Sequence, residues 1–195
     1  GIDVDGLYLP LNLAAGYEFR EETFEITAGD PDSFAVGPLA SQGFGIGSNG
    51  FPGFKPEDAG SFDRRNWATY VDAEAYFNEN FMMGFALRYE DYETFGSTTN
   101  YKITSHWQVN DEYALRGSVN TGFRAPTVGQ ANVRNVTTAF GPNGLQDEAT
   151  LPPTNPISVA KGGKALDPEE SFAYTFGLVG DFDQFFFTID YYDIE

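Results

Sequence analysis

The glycine-rich segment at residues 45–50 is the closest approach in this sequence to a cofactor-binding motif. It reads Gly-Ile-Gly-Ser-Asn-Gly and matches the G-x-G-x-x-G of dinucleotide-binding loops. That chemistry needs a strand before the glycines and a helix after them, because the helix N-terminus receives the pyrophosphate. A Phe-Pro-Gly sequence follows at residues 51–53 and does not continue into such a helix. We therefore interpret the segment as a glycine-rich loop and predict no cofactor.

The titratable side chains also lack the pattern of a catalytic or metal-binding site. His106 is the only histidine and there is no cysteine, so a His/Cys metal site is not readable, and no Ser-His-Asp arrangement is readable around this histidine. Four carboxylates lack the spacing of an EF-hand calcium loop, and we interpret them as solvated loop residues: Asp30, Asp32, Glu57 and Asp58. The sequence predicts no catalytic residue, no metal site and no enzyme activity.

The composition argues against one class of partner. The 195 residues include 29 acidic and 11 basic side chains, a net charge of −18, whereas proteins that bind nucleic acids cluster Lys and Arg. We therefore predict no nucleic-acid partner. No window approaches the roughly 18–20 consecutive apolar residues of a membrane helix, although membrane β-strands carry apolar residues only at alternate positions.

Apolar and polar residues alternate in several segments along the chain. This pattern indicates the strands that would position these side chains. In residues 81–90 every odd position is a large apolar residue or tyrosine, and the charged residues fall on the even positions. This period is typical of a strand with one apolar and one polar face. It predicts seven strands, at about 11–22, 64–77, 81–93, 101–109, 113–123, 172–178 and 185–195.

The connections between these strands alternate in length. Tight turns are predicted at 78–80, 110–112 and 181–184, and the other connections are a short one at 96–98 and long irregular ones at 29–61 and 124–168. All tight turns therefore fall on one side of the sheet. The sequence predicts an all-β fold, an antiparallel up-and-down meander of about seven strands, with the loop asymmetry of a transmembrane barrel wall.

The polar face of this meander carries charges of both signs. We predict that these side chains line a hydrated lumen and form cross-strand pairs, with His106 near Arg116. The predicted lumen-lining residues are Glu18, Arg20, Asp72, Glu74, Arg88, Glu90, Lys102, His106 and Arg116.

Four segments resemble TonB-dependent outer-membrane receptors. Residues 115–127 resemble a rising strand of that family that ends in Gly-Phe-Arg-Ala-Pro before a large extracellular loop. Residues 166–171, Leu-Asp-Pro-Glu-Glu-Ser, are similar to the Leu-x-Pro-Glu-x-Ser that opens the next strand. Residues 187–194 and 11–22 are similar to two further barrel strands, and the four matches follow the family's order.

The resemblance implies a transmembrane barrel of about 22 strands with an N-terminal plug, in the outer membrane of a Gram-negative bacterium. Its partners would be outer-membrane lipid, the TonB complex acting through the plug, and a nutrient ligand: a siderophore, cobalamin, haem, glycan or peptide. This sequence shows no plug, TonB box or terminal aromatic strand. We therefore expect residues 1–195 to be a partial barrel domain, an internal excerpt that self-associates or needs detergent when isolated.

The long loops would shape the extracellular ligand mouth, because loops on a rigid scaffold carry recognition. The candidate ligand-binding residues are Arg124, Arg134, Phe44, Phe51, Phe54 and Phe140. Packing between neighbouring loops is the alternative role for each of them.

The sequence alone also allows two other interpretations of the alternation. A soluble all-β module, for carbohydrate binding or another interaction, would use the aromatic face as a core and predicts a second sheet that covers it. A small, complete outer-membrane barrel of about eight strands would need another strand and a terminal aromatic residue.

Overall fold

The computed structural model describes residues 1–48 and 52–195 and contains two antiparallel sheets. The strands are β1 (Asn12–Ile26), β2 (Gly60–Asn78), β3 (Phe81–Tyr92), β4 (Gly96–Gln108), β5 (Tyr113–Arg124), β6 (Asn135–Gly141), β7 (Gly144–Thr150), β8 (Glu169–Phe182) and β9 (Phe185–Ile194). Seven of them form one sheet in the order β1-β2-β3-β4-β5-β8-β9, and β6 pairs with β7. The predicted seven-stranded antiparallel meander is confirmed.

Helical structure is short and lies outside the large sheet. The helices are α1 (Val128–Asn132) and α2 (Pro156–Ala160), and single 3-10 turns occur at Pro31–Ser33, Ala40–Gln42 and Pro56–Asp58. Within the part of the chain that the structure describes, no helix is long and apolar enough to cross a membrane.

The chain divides into two compact units. The wall unit comprises Gly1–Arg20, Arg65–Ala125 and Pro168–Glu195, and therefore holds most of the large sheet. The loop unit comprises Glu21–Arg64 and Pro126–Asp167, and therefore holds the two long connections together with the ends of β1 and β2.

The register of the wall unit separates two faces. One cross-strand row runs Phe81–Trp107–Leu115–Leu178–Ile189 and is entirely apolar. The adjacent row, one residue along each strand, runs Met82–His106–Arg116–Gly177–Asp190 and carries the charges. The predicted alternation and the predicted proximity of His106 to Arg116 are thus both present.

The apolar face has no cover within the described chain. Phe176 is 56% exposed, Ile189 is 65% exposed and Trp107 is 48% exposed. Few apolar side chains of the wall unit are buried, and small residues such as Ala68 and Ala114 are among them. A second sheet over this face, which the soluble-module interpretation required, is absent from the described residues.

Two predicted connections differ from the structure. The short turn lies at residues 93–95, and β4 begins at Gly96, whose φ of 91° is readily adopted only by glycine. The stretch 124–168 was predicted to be irregular, but it contains α1, the β6–β7 hairpin and α2. The hairpin has a two-residue Pro-Asn turn followed by Gly144 at φ 99°. The Pro-Asn-Gly sequence at this turn is the feature from which the hairpin could have been predicted.

The 195-residue chain, produced alone, should not be a detergent-free monomer, because an uncovered aromatic face and two free strand edges both favour association. Analytical ultracentrifugation with and without detergent measures this. We expect heterogeneous oligomers in buffer and a smaller, uniform species in detergent micelles. A single species of 21.5 kDa in buffer alone would contradict the prediction.

Candidate functional site

An ionic network centred on Arg88 occupies one part of the polar face. The Arg88 Nη2 donates to Glu18 Oε2 at 3.1 Å, and its Nε donates to Glu90 Oε1 at 2.5 Å. The other carboxylate oxygen of Glu18 accepts a hydrogen bond from Arg20 at 2.9 Å. Four of the predicted lumen-lining residues therefore form one connected group that links β1 to β3.

The Glu90 end of this network is buried. Glu90 is 6% exposed, and its Oε2 accepts hydrogen bonds from the Tyr92 hydroxyl at 3.0 Å and from Asn66 Nδ2 at 3.4 Å. A carboxylate removed from water in this way needs several donors to offset its lost hydration. The three polar partners of Glu90 supply them.

The network crosses β2 because the residues beneath it are small or flat. Ala68 of β2 is fully buried and leaves room above it. Tyr70 lies over Gly16, where an added Cβ would be 2.5 Å from the phenol ring. The Arg88 guanidinium carbon lies 6.0 Å from the centre of the same ring, within the range of a cation–π contact.

A second ion pair joins β5 to β9 across β8. Arg116 donates from Nε to Asp190 Oδ1 at 2.9 Å and from Nη2 to Asp190 Oδ2 at 2.6 Å. This two-point geometry is the strong form of an arginine–carboxylate contact. Gly177 of β8 lies between the two residues in the register, and a Cβ there would be 2.8 Å from Arg116 Nε.

Three predicted lumen-lining charges, Asp72, Glu74 and Lys102, have no ion-pair partner among the described residues, although Glu74 Oε1 accepts a hydrogen bond from Asn12 Nδ2 at 3.5 Å. Asp72 and Lys102 lie on either side of Ala86 in the register, on β2 and β4. Together with neighbouring residues of β2 to β5 they line an open recess of about 440 Å³. The polar face therefore carries both connected ionic networks and charges without an ion-pair partner among the described residues, and the predicted cross-strand pairs form at only some of its positions.

In the loop unit, the carboxylate of Asp58 joins two segments that are distant in sequence. Asp58 is 2% exposed and accepts hydrogen bonds from Arg134 Nε at 2.9 Å, from the backbone N–H of Val136 at 3.2 Å and from that of Lys55 at 3.3 Å. The prediction that this residue is a solvated loop carboxylate is wrong, because three donors hold it in the interior of the loop unit.

A second buried charge in the loop unit is Arg64. It is 6% exposed, pairs with Glu22 on β1 and donates from Nη1 to the carbonyl oxygen of Pro126. Pro126 precedes Thr127, whose hydroxyl caps α1 by accepting from the Gln130 N–H at 3.0 Å. Sequence reasoning missed Arg64, since nothing in the alternation distinguishes a buried arginine from an exposed one.

The candidate ligand-binding residues have different environments. In the wall unit, Arg124 lies at the end of β5 and forms a weak, exposed pair with Glu169 at 3.8 Å. In the loop unit, Arg134 keeps 37% of its side chain exposed while its Nε binds Asp58. Phe44 and Phe140 are 59% and 48% exposed, Phe54 is half-buried, and Phe51 lies outside the described residues.

Comparison with known proteins identifies the class. The sequence matches the family "TonB dependent receptor-like, beta-barrel" over residues 4–195, and the chain therefore belongs to this family. The family is one of receptors and not a class of enzymes.

Solved structures share the fold at low sequence identity. The siderophore receptor PirA from Acinetobacter baumannii matches 96% of this chain with a TM-score of 0.63 and 18% identity. A variant of the ferric enterobactin receptor PfeA from Pseudomonas aeruginosa matches 95% with a TM-score of 0.64 and 15% identity. This chain spans only 24% of the length of each of these receptors.

Replacement of Gly177 by alanine should separate Arg116 from Asp190, because the new Cβ would occupy the space that their side chains share. We expect Gly177→Ala to lower the temperature at which the detergent-solubilised protein unfolds. Adding Asp190→Asn to it should have little further effect. Gly117→Ala on β5 is the control, since a Cβ there makes only ordinary contacts at 3.5 Å. Equal unfolding temperatures for Gly177→Ala and the unmodified protein would contradict this account.

Replacement of Arg64 by methionine should loosen the segment that leads into α1. Loss of the guanidinium leaves the Pro126 carbonyl without this donor and Glu22 without this partner, at a cost of about 1–3 kcal/mol in local opening. Hydrogen exchange at residues 128–132 measures the effect and should accelerate about 5- to 150-fold. Arg20→Met, which removes an exposed pair, is the control and should change this exchange little. Unchanged protection of α1 in Arg64→Met would refute the proposed link.

Proposed function

We propose that residues 1–195 form part of the barrel wall and extracellular loops of an outer-membrane receptor that takes up a ferric siderophore. The observation that carries this proposal is the division of an open seven-stranded sheet into an uncovered aromatic face and a charged face. Such a sheet is stable where lipid covers one side and water meets the other. Family membership supports the receptor role.

The siderophore is proposed because of the solved structures that share the fold. These structures are of siderophore receptors from two bacterial species, and one is of a PfeA variant in complex with enterobactin. The broader set of ligands implied by the family resemblance, which included cobalamin, haem, glycans and peptides, has no such support here. We therefore narrow the proposed substrate class to ferric siderophores.

The two units would have different tasks in this receptor. The wall unit would span the outer membrane of a Gram-negative bacterium, with lipid against its aromatic face and the Arg88 and Arg116 networks facing the lumen. The loop unit would contribute to the ligand mouth, with Arg134, Phe44 and Phe140 among its contacts, and Arg124 would add a charge at the end of β5.

The remaining parts of the transporter are proposed to come from the parent protein. Residues 1–195 would be a partial barrel domain, since seven strands are too few for the barrel of about 22 strands that such transporters form. The plug and its contact with the TonB complex would likewise lie in other segments of that protein. Binding and transport of this kind need no catalytic group, so we propose no enzyme activity.

A soluble all-β carbohydrate-binding or interaction module is not supported by the structure. Its aromatic face should have been a covered core, whereas Phe185 of β9 is 63% exposed and Tyr17 of β1 is 68% exposed. The match to a receptor barrel family over residues 4–195 also argues against a soluble module.

Deletion of the complete reading frame that encodes this chain should abolish uptake of a ferric siderophore under iron limitation. The measurement compares uptake of radioactive iron from a panel of ferric siderophores, including ferric enterobactin, in the deletion strain and in the same strain with the gene restored. Cobalamin uptake is the control and should be unchanged. Immunoblotting of outer-membrane fractions should show a heat-modifiable band much larger than 21.5 kDa. Unchanged uptake of every ferric siderophore, or a soluble band of 21.5 kDa, would overturn the proposal.

A further inference from the structure

One face of the β6–β7 hairpin of the loop unit is buried at its root, the end away from the turn, and is exposed and apolar at its tip, the end next to the turn. In the register, Val136 pairs with Ala149 at the root, Thr138 with Asp147 in the middle and Phe140 with Leu145 next to the turn. Val136 is buried, whereas Phe140 and Leu145 are 48% and 44% exposed. The hairpin therefore ends in an exposed apolar pair.

A second loop segment lies beside this tip. Gly43 follows the 3-10 turn at Ala40–Gln42, and a Cβ on it would lie 3.8 Å from the Phe140 ring. Phe44, the next residue, is 59% exposed. The loop unit thus offers apolar surface from two segments whose proximity depends on where the hairpin lies.

The root of the hairpin is attached to the first long connection by Asp58. One carboxylate oxygen accepts from Arg134 Nε, just before β6, and the other from the N–H of Val136, the second residue of β6. The third donor, the N–H of Lys55, fixes Asp58 to its own 3-10 turn. Because Asp58 is 2% exposed, water competes little with these three hydrogen bonds.

The middle of the hairpin is attached by a side chain from the same turn. Lys55 Nζ donates to Thr138 Oγ1 at 3.2 Å and lies 3.9 Å from Asp147 Oδ1, and Thr138 donates to that same oxygen at 2.7 Å. Lys55 immediately precedes the turn at Pro56–Asp58. Residues 55–58 therefore bind both the root and the middle of the hairpin. None of these contacts involves the tip.

We infer that Asp58 is a positioning residue that preorganises the hairpin so that Phe140 and Leu145 meet the apolar part of the ferric siderophore. This inference rests on the proposed function. A hairpin already held in place loses little conformational entropy when a ligand binds, so affinity depends on Asp58 although its buried carboxylate is not placed to touch the ligand.

Asp58→Asn is the most direct variant, because it keeps the shape of the side chain and replaces one acceptor oxygen with a donor. That amide nitrogen would face donors that now bind a carboxylate. Asp32→Asn is the matched control, since Asp32 is an exposed carboxylate on another 3-10 turn of the same connection.

The first measurement follows hairpin position without any ligand, in the full receptor in detergent. This chain has no cysteine, so spin labels can be placed in it at Ser61→Cys on β2 and Asn143→Cys in the hairpin turn. Asp58→Asn should broaden the distribution of distances between the labels, and Asp32→Asn should not. An equally narrow distribution in Asp58→Asn would overturn the inference. Arg134→Gln, which removes one donor, replaces Asp58→Asn if that variant does not assemble into a heat-modifiable barrel.

The second measurement separates positioning from general destabilisation, with ferric enterobactin and ferrioxamine B as the probes. Asp58→Asn and Phe140→Ala should each weaken binding of the recognised probe by about tenfold. The double variant should lose less affinity than the two single losses combined, because the hairpin position matters less once the Phe140 ring is gone and only Leu145 remains at the tip. Additive losses, or an unchanged affinity in Asp58→Asn, would overturn the inference. Failure of the unmodified receptor to bind either probe would count against the proposed function, while the distance distribution would still decide whether Asp58 positions the hairpin.

Discussion

Antiparallel backbone pairing is the interaction on which the rest of the wall unit depends. Because side chains alternate along each strand, the pairing of Trp107 with Leu115 also fixes the pairing of His106 with Arg116 on the opposite face. A slip of one residue would exchange the two faces of a strand and bring charges among aromatic side chains. The register therefore decides at once which surface is apolar and which charges can meet.

Small residues decide where charges can meet across a strand. Arg116 and Asp190 lie on strands that are not adjacent and make contact above Gly177, and Glu18 and Arg88 make contact across β2, where Ala68 is fully buried. A Cβ at position 177, or a side chain longer than alanine at position 68, would fill the space that the charged side chains now use. The polar face is thus organised as much by its glycine and alanine residues as by its ion pairs.

Buried charges connect distant segments of the loop unit. Asp58 and Arg64 are 2% and 6% exposed, and each connects segments more than forty positions apart, as the pairs Asp58–Arg134 and Arg64–Glu22 show. Each buried charge needs its partners, since an unpaired one would be costly, so these contacts tolerate few alternative arrangements. Long loops rich in glycine and proline can in this way present defined surfaces, the tip of the β6–β7 hairpin among them.

The sequence by itself determined the seven strands, the two faces and the family, because these follow from local alternation and from short motifs such as Gly-Phe-Arg-Ala-Pro. It also indicated the charged face that contains Arg88 and Arg116. Only the tertiary structure decided that Asp58 is buried and not solvated, that Arg134 binds it, and that Asp72 and Lys102 have no ion-pair partner among the described residues. The physical reason is that alternation assigns a side chain to a face, whereas burial and pairing depend on residues distant in sequence, which only the folded chain brings together.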